Sequence, residues 1–166
     1  MHFRGLPGIG KTLLTRNVLH YLSERKYFSG GIFYEPLNNI KKAHGFLLAL
    51  LNRSLSFFNL SPKQRFELRH NGNENAITDF MISLFEDKVN TQYLPKKDKF
   101  FSQSKDKRFL LVLDNAEMLI DDSGEEFRSL LSIFSDSCKQ LKILVISRNE
   151  LGSTNENEII SPLILP

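Results

Sequence analysis

Short apolar runs along the chain predict the strands of a sheet. Residues 109–113 and 143–146 are continuous apolar runs between polar or charged neighbours, which is typical of buried parallel strands because both of their faces are covered. A β-prone run at 32–34 stops at Pro36, and residues 2–3 form a very short first run. The predicted strands cover residues 2–3, 32–34, 109–113, 143–146 and 159–165.

Between these runs, apolar residues return at the spacing of amphipathic helices. The clearest such segment extends from residue 40 to residue 58. In the last segment, Ser123 and Glu126 fit a capping box, which predicts a helix that opens at Asp122. The predicted helices cover residues 12–26, 40–58, 75–89 and 122–138.

The alternation of strands and helices predicts the fold class and the position of a site. It indicates an α/β fold of three layers, in which helices cover both faces of a mostly parallel sheet. The carboxyl ends of parallel strands meet at one edge, and open sheets of this kind bind their ligands there. We therefore expect the functional side chains to follow the ends of the predicted strands.

Composition supports one soluble-type domain with its own core. The chain has 166 residues, of which 41% are hydrophobic and 25% charged, and its 14 Phe with no Trp predict a core filled largely by Phe. Cys138 is the only cysteine, so an internal disulfide is excluded and a buried thiol is expected. Neither a membrane-spanning run nor a signal-peptide pattern is present, which predicts a cytoplasmic protein that has no membrane partner.

The charge balance is slightly basic and does not by itself indicate a nucleic-acid partner. The net charge is +3, and much of the surplus lies in residues 95–108. A solvated surface loop is the preferred interpretation of that segment over a nucleic-acid patch. Nucleic acid is therefore not an expected partner.

A glycine-rich loop follows the first run and has the spacing G-x-x-x-x-G-K-[ST] of a phosphate-binding loop. Its glycines allow positive φ values, so backbone N–H groups can turn inward around an anion at the start of the next helix. Lys11 is predicted to reach the β- and γ-phosphates, and the Thr12 hydroxyl to ligate Mg²⁺. The alternative is a glycine-rich turn before an ordinary helix. The predicted nucleotide-binding residues of the loop are Gly5, Leu6, Pro7, Gly8, Ile9, Gly10, Lys11, Thr12 and Leu13.

Two further strand ends carry residues that suit a nucleotide. Asp114 ends the run at 109–113, where a carboxylate can hold Mg²⁺ directly or through water. Arg148 follows the run at 143–146 and is predicted to bind nucleotide at the γ-phosphate through its charged fork. Glu117 is either a general base that polarises water or a solvated charge. The predicted catalytic residues are Lys11, Glu117 and Arg148, and the predicted metal ligands are Thr12 and Asp114.

These segments resemble, in order and spacing, the NB-ARC-type members of the STAND class, which are ATP/ADP-switching NTPases of signalling and immune-type proteins. The resemblance rests on GLPGIGKT, GGIFY, FLLVLDNAE and KILVISRN, which begin at residues 5, 30, 109 and 142. It implies five strands in the order 5-1-4-3-2, with Asp114 as the Walker B acid and Arg148 as the sensor arginine. The chain departs from the family in its short first strand, in Asn115, which replaces a second Asp, and in the absence of the helical and winged-helix lobes.

The expected function is that of an ATP/ADP switch. Residues 1–166 are predicted to form a single nucleotide-binding domain that binds Mg-ATP and hydrolyses it slowly. Missing lobes of the same protein, protein partners and a nucleotide-dependent oligomer are expected to respond to the nucleotide. One alternative is an AAA+ or ASCE-type ATPase with Glu117 as base, and another is a fragment that has lost catalysis.

Overall fold

The computed structural model describes residues 1–57, 73–86, 107–151 and 162–164 of the chain. Most of the predicted basic segment lies outside these residues, as do the residues on either side of 162–164. Among the described residues, no helix has the length and apolar character that a membrane crossing needs.

The strands form one parallel sheet in the order β2-β3-β4-β1-β5. The predicted order 1-4-3-2 is thus confirmed for four strands. The predicted fifth strand is reduced to a three-residue segment that pairs with β1. The strands are β1 (His2–Arg4), β2 (Gly31–Pro36), β3 (Phe109–Asp114), β4 (Leu141–Ser147) and β5 (Pro162–Ile164).

The helices lie close to their predicted positions, with one correction. The helix predicted to open at Asp122 begins at Glu117, and a non-helical backbone at Ser123 (φ −146°, ψ 37°) divides it. The expected capping box therefore coincides with a kink inside the helix, because the chain already turns into a helix directly after β3. The helices are α1 (Lys11–Glu24), α2 (Ala43–Phe57), α3 (Glu74–Phe85) and α4 (Glu117–Ser137).

Helices cover both faces of the sheet, so the three-layer arrangement is present. On one face, Leu19 and Leu22 of α1 pack against buried residues of the strands. On the other face, α2, α3 and α4 enclose the larger core. Phenylalanine fills much of that core, as expected, with edge-to-face pairs such as Phe33–Phe85 and Phe46–Phe127 at ring distances of 5.4 and 5.2 Å. Cys138 is also buried there.

The short first strand is held firmly despite its length. β1 lies between β4 and β5 and pairs with both. His2 is buried, and its Nε2 lies 2.7 Å from the Ser147 hydroxyl at the end of β4. Burial, followed by the charge of Arg4, lowers the pKa of His2, so the ring is neutral near pH 7. Tertiary pairing thus compensates for the small number of residues in β1, and the loop that follows starts from a fixed point.

Candidate functional site

The glycine-rich loop joins β1 to α1 and leaves open space in front of the helix. Gly8 and Gly10 have φ values of +77° and +90°, which side-chain-bearing residues adopt only under strain. A Cβ atom placed on either glycine would meet nothing within 4 Å. Gly10 caps α1 without a side-chain hydrogen bond to the first turn. The N-terminal N–H groups of α1 therefore keep the capacity to bind an anion.

Lys11 bends back onto the loop. Its Nζ donates to the carbonyl oxygens of Gly5 at 2.7 Å and Leu6 at 2.9 Å. An ammonium group has three donors, so one remains for a ligand while the other two hold the loop closed. The positive charge lies beside the open space, where an anion would meet it.

Asp114 at the end of β3 is almost fully buried, with 1% of its surface exposed. Its Oδ2 accepts a hydrogen bond from Thr12 Oγ1 at 2.9 Å and another from the Tyr34 hydroxyl at 2.5 Å. Its Oδ1 accepts from the backbone N–H of Asn115 at 3.0 Å. A buried carboxylate needs such donors, and here two of the three come from other elements of the fold.

The Asn115 backbone is also unusual, since its φ of +59° lies in the left-handed region. Asn tolerates this region better than most residues. The turn brings the next N–H group, that of Ala116, to the carbonyl oxygen of Ile146 at 3.1 Å. The residue that departs from the resembled family therefore shapes the junction of β3 and α4.

Glu117 and Arg148 are held together. Both the backbone N–H and the Nε of Arg148 donate to Glu117 Oε1, each at 3.1 Å. The Glu117 side chain is only 10% exposed, whereas that of Arg148 is 52% exposed. Glu117 is therefore an acceptor that positions Arg148, and the guanidinium keeps a solvent-facing side that can meet a ligand.

One cavity of about 590 Å³ joins most of the predicted residues. It is lined by the loop and by the Glu117–Arg148 pair. Asp114 does not line the cavity itself but accepts a hydrogen bond from Thr12, which does. Gly5, Leu6 and Ile9 do not line it. Gly5 and Leu6 supply the carbonyl groups that hold Lys11. The predicted residues that line the cavity are Pro7, Gly8, Gly10, Lys11, Thr12, Leu13, Glu117 and Arg148.

Sequence reasoning missed part of this site. Tyr34 reaches Asp114, and Arg16 lies over the Tyr34 ring at 5.8 Å from its centroid. Burial, together with the hydrogen bond to Asp114, raises the pKa of Tyr34, so its hydroxyl stays protonated and donates. The predicted order of the sheet carried the signal, because it placed the end of β2 next to Asp114. The other cavity-lining residues that were missed are Asn38, Asn39 and Met118, and Asn115, the departure from the resembled family, also lines the cavity.

The side chains fit a magnesium nucleotide better than a free-standing metal site. Among the described residues, no group of three or more His, Cys, Asp or Glu is placed to hold a metal ion. Mg²⁺ commonly takes one or two protein oxygens and completes its shell with phosphate oxygens and water. Thr12 Oγ1 and Asp114 Oδ2 lie 2.9 Å apart, and these two oxygens match that limited set of protein ligands.

Taken together, the parallel α/β sheet and the glycine-rich loop between β1 and α1 fit the fold of a P-loop NTPase. Residues 1–148 match the family model described as nephrocystin 3, N-terminal, and the chain belongs to that family. The predicted resemblance is thus supported by the sheet and the loop at the level of a P-loop NTPase fold, and the family match does not show NB-ARC membership.

A solved structure supports the same fold. The crystal structure of Cdc6p from Pyrobaculum aerophilum superposes with a TM-score of 0.56 at 15% sequence identity. The match covers 89% of this chain and 32% of that one, so the chain spans about a third of the length of Cdc6p. No curated protein sequence matches the chain.

Proposed function

We propose that this chain is the nucleotide-binding domain of an ATP/ADP switch, which binds Mg-ATP and hydrolyses it slowly. The observation that supports this most directly is the cavity at the carboxyl ends of the strands. It joins an open glycine-rich loop, the Thr12–Asp114 pair and the Glu117–Arg148 pair. A glycine-rich turn without a ligand would not require the last two pairs at the same edge.

The proposed contacts follow from the positions of the donors. The N–H groups at the start of α1 and the third donor of Lys11 bind the β- and γ-phosphates. Thr12 and Asp114 hold Mg²⁺, which neutralises phosphate charge when it is bound. Arg148, which lines the cavity and has half of its side chain exposed, contacts the γ-phosphate that distinguishes ATP from ADP.

The switch interpretation rests on the state of Glu117. A general base needs a carboxylate oxygen near the attacking water, and Glu117 Oε1 already accepts two hydrogen bonds from Arg148, which leaves Oε2 for that task. Glu117 holds Nε of Arg148, so the γ-phosphate and Glu117 share one guanidinium, and the charge of Glu117 weakens the attraction that this guanidinium offers to the γ-phosphate. A ligand shifts an equilibrium only through such differential contacts, so Arg148 is the group that converts the identity of the nucleotide into a change of structure.

A STAND-like role in signalling extends this proposal. The nucleotide would alter the contacts of this domain with other lobes of the same protein, with protein partners or with further copies in an oligomer. The competing function is an AAA+-type ATPase with Glu117 as base. The position of Glu117 in the cavity supports that alternative, and steady turnover that collapses in Glu117→Gln would establish it.

The direct test of nucleotide binding is Lys11→Ala. We expect calorimetry to show binding of a non-hydrolysable ATP analogue to the wild type and its loss in the variant, because the Lys11 ammonium both holds the loop and keeps one donor for the phosphates. Lys139→Ala, an exposed lysine outside the cavity, is the matched control. Equal affinity in the wild type and Lys11→Ala would overturn the proposed site. A wild-type melting temperature that excess Mg-ATP and ADP leave unchanged would favour the non-catalytic alternative.

A further inference from the structure

Tyr34 belongs to the proposed nucleotide site, although its strand, β2, carries none of the predicted site residues. In the sheet register, Tyr34 of β2 is the partner of Val112, and Pro36 is the partner of Asp114. Tyr34 thus lies two residues before the level of Asp114, and its hydroxyl reaches forward to Asp114 Oδ2 at 2.5 Å. Such contact between neighbouring strands depends on the register and not on a local motif.

The hydrogen bonds to Asp114 are distributed unevenly over its two oxygens. Oδ2 accepts from Thr12 and from Tyr34, whereas Oδ1 accepts from the Asn115 N–H. A carboxylate oxygen has two lone pairs in its plane, so these two hydroxyl groups use the acceptor capacity of Oδ2. Oδ2 is also the oxygen on the side of Thr12, the proposed magnesium ligand.

A magnesium ion held by Thr12 keeps several water molecules, and these need acceptors. Asp114 Oδ2 is the buried acceptor that Thr12 already contacts, and Thr12 and Tyr34 use its two lone pairs. A water donor and the Tyr34 hydroxyl cannot both use the same lone pair. A metal-bound water that donates to Oδ2 beside Thr12 therefore displaces the Tyr34 hydroxyl, so the tyrosine favours the metal-free arrangement.

We propose that Tyr34 is a positioning residue that competes with magnesium-bound water for Asp114 and thereby sets how strongly nucleotide binding depends on Mg²⁺. This inference rests on the proposed nucleotide site. Tyr34 satisfies the buried carboxylate while the metal is absent, and it weakens the coupling between metal and nucleotide. In that role it lowers the advantage of Mg-ATP over metal-free ATP.

The test measures the dissociation constant of ATP by calorimetry in excess Mg²⁺ and in EDTA, with the wild type and Tyr34→Phe. Phe keeps the ring and removes the hydroxyl, which donates to Asp114 and also contacts Arg16. We expect the ratio of the EDTA constant to the Mg²⁺ constant to rise roughly three- to tenfold in the variant, as befits one hydrogen bond to a charged acceptor exchanged for one from water. Tyr27→Phe, at an exposed tyrosine that packs against Phe28, is the matched control and should leave the ratio unchanged.

The outcomes separate this inference from the proposed function. Wild-type ATP binding with an unchanged or reduced ratio in Tyr34→Phe would overturn the role of Tyr34 alone. Absence of ATP binding in the wild type would overturn the nucleotide site and this inference together. A larger ratio in Tyr34→Phe, with the same value in the wild type and Tyr27→Phe, is the supporting result.

A spectroscopic measurement reports on the hydroxyl directly. The chain has 4 tyrosines, so fluorotyrosine labelling gives few ¹⁹F signals, and Tyr34→Phe assigns the one of interest. We expect this signal to shift when Mg²⁺ is added to the ATP-bound protein, because Tyr34 leaves Asp114 at that step. A signal that moves with ATP in EDTA and does not move further with Mg²⁺ would contradict the competition.

Discussion

Replacement of Glu117 by Gln distinguishes the proposed switch from a catalytic base. The switch predicts a change in the preference for ATP over ADP, whereas a catalytic base predicts a loss of ATP turnover. Gln keeps an oxygen that can accept from the Arg148 backbone N–H, so the geometry of the strand end is retained. It removes the charge that holds the guanidinium at 3.1 Å. If Arg148 is the contact for the γ-phosphate, its release strengthens ATP binding and leaves ADP binding nearly unchanged.

The size of the effect follows from the geometry of the pair. Opposite unit charges 3.1 Å apart attract by about 5 kcal/mol at an effective dielectric constant of roughly 20. Arg148 is half exposed, and solvent screening reduces exposed pairs to about 0.2 to 1 kcal/mol. Because Glu117 is nearly buried, an intermediate value of about 1 to 2 kcal/mol is appropriate. That range corresponds to a change of roughly 5- to 30-fold in an affinity ratio.

The assay is calorimetry with a non-hydrolysable ATP analogue and with ADP. We expect the preference for the ATP analogue over ADP to rise by that factor in Glu117→Gln. Glu125→Gln, at an exposed carboxylate on the same helix, is the matched control. In the Arg148→Ala background, Glu117→Gln should no longer alter the preference, because the shared group is gone.

An unchanged or lower preference in Glu117→Gln would refute the competition between Glu117 and the γ-phosphate. If the same variant also lost steady ATP turnover, the catalytic-base alternative would be supported. Nucleotide affinity and ATP turnover are measured in separate experiments, so each of the two functions is tested independently.

Three predictions concern the scaffold. His2→Asn should flatten the loss of stability below pH 6.5, because the lowered pKa of His2 means that the unfolded chain takes up a proton there before the folded one does. Gly30→Ala should lower the free energy of unfolding by about 2 kcal/mol, since the added Cβ would lie 2.5 Å from the buried Phe109 ring, whereas Gly45→Ala in α2 should be neutral or stabilising. Phe46→Ala should cost about 3 to 5 kcal/mol, because a fully buried ring is lost.

Urea unfolding at several pH values measures all three. Parallel pH slopes for the wild type and His2→Asn would contradict the role of the buried neutral ring. Equal stability of Gly30→Ala and Gly45→Ala would show that the Phe109 ring yields freely. A loss below about 1 kcal/mol in Phe46→Ala would mean that the core collapses around the gap.

The predictable part of the fold lies where the pattern is local and strong. Continuous apolar runs identified β3 and β4, because a strand buried on both faces needs apolar residues at every position. Helical spacing identified α1 and α2, because a helix buried on one face needs apolar residues only on that face. The rule that parallel strands end at one edge then placed the loop, Asp114 and Arg148 near each other, as the cavity shows. Their roles in binding and catalysis stay predictions.

What could not be predicted depends on contacts between distant segments. The start of α4 at Glu117 goes with the bonds of Ala116 to Ile146 and of Glu117 to Arg148, and no local capping signal records these. The Tyr34–Asp114 bond joins residues 80 positions apart and follows from the strand register. Helix and strand propensities describe local sequence and therefore predict neither of these long-range contacts.

The pairing of β1 has a consequence for the order in which the molecule forms. The partners of His2 are Val145 and Pro162, so the strand that anchors the glycine-rich loop finds both neighbours only after most of the chain exists. Contacts of such long sequence separation form late, because a large loop must close first. During synthesis on the ribosome, the loop emerges before the strands that pair with its anchoring strand. We therefore expect a nascent chain that stops before β4 to be unable to retain ATP, even though every residue of the loop is already present.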